Sequence, residues 1–148
     1  RSETERYGEY SKAGEFVYDH PFLWGSKRTG PDLHRVGGKY PHAWHYMHMM
    51  EPQTISPGTI MPAYPWLFTD NTMYHELEGK IITMRKLGVP YPEGMEQKAE
   101  KVARAQAEEI ANDLPENKTM PVDANKEIIA LIAYLQRLGK DIKAVGAH

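Results

Sequence analysis

The spacing of apolar residues predicts three long helices in the second half of the chain. Apolar residues recur there at intervals of three and four, the pattern of one face of an α-helix. The first helix follows the capping candidates Asp70 and Asn71, the second covers 93–112, and the third begins at Asp123 and stops at Gly139. Their apolar positions are Met73, Leu77, Ile81, Met84 and Leu87, then Ala99, Val102, Ala103, Ala107 and Ile110, then Ile128, Leu131, Ile132, Leu135 and Leu138. No strand-like alternation is sustained, so the sequence predicts an all-α protein.

The first half of the chain is rich in residues that interrupt regular structure. Residues 1–68 hold seven of the eleven prolines and all three tryptophans, so we expect loops to dominate. One short helix is predicted over 41–50, with Pro41 in its first turn, and a weaker one over 2–16. We expect a single domain over 1–148, with a loop-rich half (1–68) and a helical half (69–148).

Composition and charge exclude several classes of function. The chain has 148 residues, 41% apolar and 26% charged, which is typical of a soluble globular domain. A net charge of −2 gives no basic face for nucleic acid, and no apolar run is long enough to cross a bilayer. The absence of cysteine excludes disulfides, thiolate metal sites and cysteine nucleophiles. No signal peptide is evident, and a start at Arg1 without methionine is what we expect of a mature or excised fragment.

A methionine between prolines is the first candidate for chemistry. Met61 lies in the segment 59–67 (TIMPAYPWL), where Pro57, Pro62 and Pro65 each fix a backbone angle and remove a donor. Such a segment cannot be helical and presents the thioether in one direction. That is a requirement of an axial haem ligand.

A second motif, Gly30-Pro31-Asp32-Leu33, indicates a tight turn when it is considered alone. The order of Gly-Pro-x-Leu, then Met-Pro, then a terminal amphipathic helix resembles the distal half of a class I cytochrome c. More narrowly, the segments 24–33 (WGSKRTGPDL) and 61–67 (MPAYPWL), with Trp44-His45 and His48, resemble the mono-haem subunit II of cbb3-type cytochrome c oxidases. The opening residues 1–8 (RSETERYG) resemble the segment that follows this family's haem-attachment site.

The resemblance implies a class I cytochrome c-like fold that carries a haem c. In the family, the proline carbonyl of the Gly-Pro turn orients the haem-ligating histidine, and the methionine of the Met-Pro loop is the axial iron ligand. Pro31 and Met61 are the matching positions. The expected haem-pocket residues are Arg28, Gly30, Pro31, Leu33, Ile60, Met61, Pro62, Tyr64 and Trp66, with Met61 on the iron.

Other side chains are assigned by their chemistry beside this resemblance. Arg28 is the best candidate to pair with a haem propionate, since a guanidinium suits a carboxylate. The rings of Tyr64 and Trp66 are expected to be buried, in the core or against the haem. In the family the terminal helix packs in the core, which predicts that Tyr134 and Leu135 are buried.

The resemblance also implies the biological setting. Electrons would pass through the haem to the catalytic subunit of a membrane-bound, proton-pumping terminal oxidase, with a di-haem cytochrome subunit as a second partner, on the periplasmic side of the bacterial inner membrane. The family's membrane helix and Cys-x-x-Cys-His motif lie upstream of Arg1, so we expect a fragment that cannot attach haem covalently. Loss of the N-terminal helix is expected to uncover Ile128, Leu131 and Leu135 partly and to favour self-association.

Two alternatives from other classes stay open at this point. The first is an all-α scaffold that works by docking and holds no cofactor. The second is a metal site on His42, His45 and His48, whose spacing of three residues suits imidazole ligation of zinc or copper. The plainer interpretation of these histidines is hydrogen bonding within the fold or at a subunit contact.

Overall fold

The described part of the protein is helical. The computed structural model describes residues 2–22, 30–114 and 122–140. Its α-helices are α1 (Ser2–Tyr7), α2 (His42–Met50), α3 (Pro52–Ile55), α4 (Trp66–Thr69), α5 (Leu77–Lys86), α6 (Met95–Asp113) and α7 (Glu127–Arg137), with 3₁₀ turns at Ala13–Phe16 and Tyr74–Glu76. Within these ranges the only strand-like pairing is an isolated antiparallel bridge between Asn71 and Lys126. The predicted all-α class is therefore confirmed.

The predicted helices over 41–50 and 93–112 are confirmed as α2 and α6. The helices predicted to follow Asp70 and to begin at Asp123 start later, at Leu77 (α5) and Glu127 (α7). The amide of Thr72 donates to the Asn125 carbonyl (2.7 Å), and the amide of Glu127 donates to the Asp70 carbonyl (3.1 Å). These bonds hold both segments in an extended form before a helix can start. Asp123 does not cap α7, because its carboxylate accepts from the Asn125 amide in a local turn (2.8 Å).

The weak helix predicted over 2–16 is interrupted. Gly8 adopts a left-handed conformation with a φ of 91°, and its amide closes the end of α1 on the Thr4 carbonyl (3.0 Å). This is the usual way a helix ends on glycine. The chain then turns and makes only the short 3₁₀ helix at Ala13–Phe16.

The chain forms two compact units, one of Arg1–Lys39 with Leu135–His148 and one of Tyr40–Tyr134. The predicted single domain with halves 1–68 and 69–148 stays a prediction. In the second unit α6 packs against α5, α2 and the 3₁₀ turn at Tyr74–Glu76. The buried core of this unit consists of Tyr74, Ala107, Ile110, Ala111, Leu114, Ile128, Ile129 and Ile132.

Burial confirms the apolar pattern in part. Ile128 and Leu135 are 1% and 5% exposed, so the prediction that they are partly uncovered is wrong, whereas Leu131 is half-buried as predicted. Self-association stays a prediction. Tyr134 is also wrongly predicted, since it is 62% exposed. Successive residues of a helix differ by about 100° in direction, so a helix that turns Ile132 and Leu135 inward turns Tyr134 outward. Three further predicted apolar-face residues are exposed, namely Met73, Leu87 and Val102.

Candidate functional site

The segment of residues 56–65, here called the Met61 loop, contains no helix and is fixed by its own main chain. The amide of Thr59 donates to the Ser56 carbonyl (3.1 Å), and Gly58 between them has a φ of 80°. The amide of Met61 donates to the Thr59 hydroxyl (3.2 Å). Near its end the loop returns to α2, where the Tyr64 amide donates to the Met49 carbonyl (3.1 Å). The expected non-helical segment is confirmed over 59–65 but is wrong for Trp66 and Leu67, which begin the α-helix α4 (Trp66–Thr69).

The aromatic residues that follow are not both buried as predicted. Tyr64 is half-buried, but Trp66 is 50% exposed, and the two rings meet edge to face at 5.3 Å. Trp66 is the first residue of α4, a single turn that packs Leu67 and Phe68 against the core instead. Because one turn can bury only part of its circumference, Trp66 is left outside.

Two aromatic side chains of α2 and that of Tyr40, two residues before the helix, form a ladder of three rings. The Tyr40 and Trp44 rings stack with centroids 4.0 Å apart, and the Trp44 and His48 rings stack at 4.5 Å. His45 lies edge-on to Trp44 at 5.3 Å and is only 2% exposed. Its Nε2 atom and the Nδ1 atom of His48 are both buried without a hydrogen-bond partner.

The three histidines of α2 do not form the proposed metal site. His42 Nδ1 lies 2.9 Å from a carboxylate oxygen of Asp113, at the end of α6, while His48 stacks on a ring. Within residues 2–22, 30–114 and 122–140, no group of three or more His, Cys, Asp or Glu side chains is arranged to hold a metal ion. The structure therefore gives no support to the zinc or copper alternative.

Burial controls the protonation of His45 and His48. It lowers the pKa of His45 from 6.5 to about 4, with smaller contributions from His42 and His48, and it lowers the pKa of His48 as well. A charged imidazole is disfavoured in an apolar setting because it loses its hydration. His45 is thus neutral at neutral pH, and α2 presents no buried positive charge there.

This gives a testable pH dependence. The unfolded chain takes up a proton at His45 near pH 6.5, whereas the folded protein resists it until about pH 4, so the stability contributed by neutral His45 is complete above pH 6.5 and is lost as the pH falls towards 4. We expect His45→Gln to remove roughly 2 kcal/mol of the stability loss between pH 7 and pH 4.5. Urea unfolding at both pH values measures it.

The matched control is His75→Gln, which changes an exposed histidine of the same unit. Its loss of stability on acidification should equal that of the unaltered protein. An unchanged pH dependence in His45→Gln would show that His45 accepts a proton as readily in the folded as in the unfolded chain.

Asp32 organises the Gly-Pro turn in the other unit. One of its carboxylate oxygens accepts from the Ser11 hydroxyl (2.7 Å) and from the Ser11 amide (3.3 Å). The other oxygen accepts from the His34 amide (3.0 Å). Ser11 is 3% exposed, so these bonds are shielded from water and fix the turn to the segment that follows α1. Nothing in the sequence around Ser11 indicates this partnership.

A charge network continues from the same turn. The Arg35 guanidinium lies 2.9 Å from a Glu15 oxygen, and the other Glu15 oxygen contacts His34 Nε2. The Arg35 Nε group also donates to the Glu9 carbonyl. His34 thereby contacts Glu15, and its ring lies against that of Phe16, with centroids 4.3 Å apart and the planes tilted by 43°. Its role is structural within this unit.

The predicted haem-pocket residues fall into the two units separately. Gly30, Pro31 and Leu33 belong to the first unit, and Leu33 is 43% exposed beside the Asp32 cluster. The remaining predicted residues of the Met61 loop and α4 belong to the second unit. Arg28 lies outside the described residues. The assignment of all these residues to a haem pocket stays a prediction.

The side chain of Met61, in the second unit, is chemically suited to bind haem iron. A thioether is a soft ligand of the kind that haem iron accepts, and Met61 is only half-buried on a loop whose main chain is fixed before and after it. The family model described as cytochrome C oxidase, mono-heme subunit/FixO, matches residues 1–142. The chain belongs to the FixO family.

Family membership confirms the resemblance seen in the sequence. A FixO chain is a mono-haem subunit of cytochrome c oxidase and serves electron transport. It belongs to a membrane-associated oxidase complex, which implies partner subunits. A comparison of this FixO chain with curated proteins gives no match.

Proposed function

We propose that this FixO chain carries electrons through a c-type haem whose iron takes the Met61 thioether as an axial ligand, with an imidazole on the opposite side. The observation that carries the proposal is the fixed Met61 loop, in which the ligand's own amide is bonded to Thr59 and the return to α2 is bonded at Tyr64. An axial methionine must be held in one place while iron changes its charge, and a loop fixed in this way meets that requirement.

The residues of the chain have separable tasks in this proposal. When bound, the haem supplies the one-electron couple. Met61 ligation favours the reduced state and so raises the potential. The Ser11–Asp32 pair holds the turn that contains Pro31, whose carbonyl we propose to orient the imidazole ligand.

The attachment of the haem and the location of the chain belong to the same proposal. The 148 residues contain no cysteine, so the thioether bonds of a haem c must be made by residues outside them, and we propose a Cys-x-x-Cys-His segment before Arg1.

None of the helices described is long and apolar enough to span a bilayer. We propose a position on the periplasmic side of the inner membrane, beside the catalytic and di-haem subunits of a proton-pumping oxidase.

Replacement of Met61 tests the proposal directly. In the haem-bearing full-length protein, Met61→Ala should abolish the weak far-red band of methionine-ligated ferric haem, because that band requires the bond between the thioether and the iron. Met61→His should keep a six-coordinate low-spin spectrum but lower the reduction potential, since an imidazole favours reduced iron less than a thioether does.

The control is Met73→Ala, which removes a thioether that is 54% exposed on the same unit. Its spectrum and potential should match those of the unaltered protein. A far-red band that survives Met61→Ala would remove Met61 from the iron and the proposal with it.

A further inference from the structure

His45 has a buried nitrogen atom without a hydrogen-bond partner in the described part of the chain. The side chain is 2% exposed on α2, and the atom in question is Nε2. A buried polar atom left in this state costs about 1–3 kcal/mol, so folded proteins keep few of them, and a bound ligand, ion or water is the usual partner. We therefore expect a group from outside the described residues to meet this atom.

The surroundings of His45 are aromatic. The Tyr40 and Trp44 rings meet its imidazole edge to face, with centroids at 6.1 Å and 5.3 Å. His48 stacks on Trp44, and burial keeps both imidazoles neutral at neutral pH. A neutral imidazole carries one N–H donor, and a hydrogen bond is stronger in such low-dielectric surroundings than in water. The position is thus suited to an acceptor that needs a buried donor.

Two kinds of occupant from the described chain itself are excluded. No group of three or more His, Cys, Asp or Glu side chains in its described ranges is arranged to hold a metal ion. Asp113, the acid of α6 that reaches α2, lies 2.9 Å from His42 Nδ1 and so contacts a different imidazole. A carboxylate brought by a ligand suits the His45 donor, because its oxygens lose their hydration on burial and must receive hydrogen bonds instead.

The haem of the proposed function brings two carboxylates, its propionates. His45 and Met61 belong to the same unit, and the carbonyl of Met49, one turn further along α2, accepts from the Tyr64 amide at the end of the Met61 loop (3.1 Å). We propose that His45 Nε2 donates a hydrogen bond to a haem propionate, so that α2 positions the haem while Met61 binds its iron. This inference rests on the proposed function and makes His45 a positioning residue.

Three variants of the haem-bearing full-length protein test the hydrogen bond. His45→Leu removes the donor and keeps a side chain of similar size. His45→Gln retains an N–H group near the position of Nε2 and is the rescue. His75→Leu makes the same change at an exposed histidine of the same unit and is the control. Infrared difference spectra between ferric and ferrous protein, with the haem isotopically labelled at its carboxylates, distinguish the propionates from Asp and Glu.

We expect His45→Leu to shift a labelled carboxylate band, because the accepting oxygen loses its donor. The variant should also move the redox equilibrium severalfold towards ferric haem. A donor disperses the negative charge of the propionate, and without it that charge stabilises ferric iron more strongly. His45→Gln should keep the band and the potential close to those of the unaltered protein, and His75→Leu should change neither.

A labelled band that stays in place in His45→Leu would overturn the proposal and make a water molecule the partner of Nε2. A shift that His45→Gln does not restore would overturn it as well, because the shift would then come from repacking of α2. Nuclear magnetic resonance of the unaltered ferrous protein, with labelled histidine, gives an answer even if His45→Leu yields no holoprotein. The Nε2 hydrogen of His45 should exchange slowly with solvent, and rapid exchange would contradict the hydrogen bond.

The carboxylate band and the far-red band separate this inference from iron ligation. If Met61→Ala leaves the far-red band in place while His45→Leu shifts the carboxylate band, ligation by Met61 is wrong and the hydrogen bond stands. If Met61→Ala abolishes the far-red band and His45→Leu leaves the carboxylate band unshifted, the ligation stands and the hydrogen bond is wrong.

Discussion

Replacing Gly37 with alanine is expected to lower the free energy of unfolding by about 3 kcal/mol. A Cβ atom at Gly37 would lie 2.4 Å from the carbonyl oxygen of Leu138 and 2.6 Å from that of Gln136. Both are main-chain atoms at the end of α7, so no side-chain rotation can relieve the contact. The same approach carries the hydrogen bond from the Gly37 amide to Leu138 (3.0 Å), which would be stretched. Urea denaturation monitored by circular dichroism measures the loss.

Gly79→Ala is the matched control. Gly79 is inside α5, where an added Cβ meets no atom within 4 Å. Alanine is the better helix former, so this variant should gain about 0.5–1 kcal/mol. If Gly37→Ala unfolds at the same urea concentration as the unaltered protein, the close approach of residues 136–138 to Gly37 does not exist in solution.

The second large effect is expected at the centre of the other unit. Ile132 is 0% exposed and lies in the core formed by α6, α7 and the residues around Tyr74. Ile132→Ala removes three buried carbon atoms and leaves a cavity that close-packed neighbours fill only partly. We expect a loss of about 3–4 kcal/mol in the free energy of unfolding, a large fraction of a domain's stability. Thermal and urea unfolding should both show it.

Val102→Ala is the control, because it removes apolar carbon atoms from an exposed position. Val102 is 59% exposed on α6, and its truncation should change stability by no more than about 0.5 kcal/mol. Equal losses in the two variants would mean that Ile132 is not in a closely packed core.

The fold was predictable where the signal is local and periodic. The α6 boundaries follow from apolar spacing and the start of α2 from Pro41, and Ile128, Ile132 and Leu135 are buried as one face of α7 requires. The starts of α5 and α7 were not predictable from the same signal. Main-chain bonds between residues 70–72 and 125–127, more than fifty positions apart, delay both helices, and no periodicity encodes such a pairing.

In the candidate site, too, local features could be predicted from the sequence, whereas contacts between distant residues could not. The Met61 loop could be inferred because proline acts on its own backbone and on the residue before it. The Ser11–Asp32 bond joins residues 21 positions apart. Serine side chains make many kinds of hydrogen bond, so the sequence around Ser11 does not predict this partner. Trp66 was expected to be buried because large rings usually are, but its exposure depends on which residues of a single turn face the core.

The antiparallel bridge between Asn71 and Lys126 has a consequence for the motions of the chain. Lys126 also donates its ammonium group to the Thr69 carbonyl (2.9 Å) and to the Asn71 side chain (2.8 Å), so the end of α4 and the approach to α7 are tied at several points. Segments joined in this way open together rather than one at a time. Local fluctuations that would free the exit of the Met61 loop must therefore unravel the first turn of α7 as well. The position of Met61 therefore depends in part on α7, which begins more than sixty residues further along the chain.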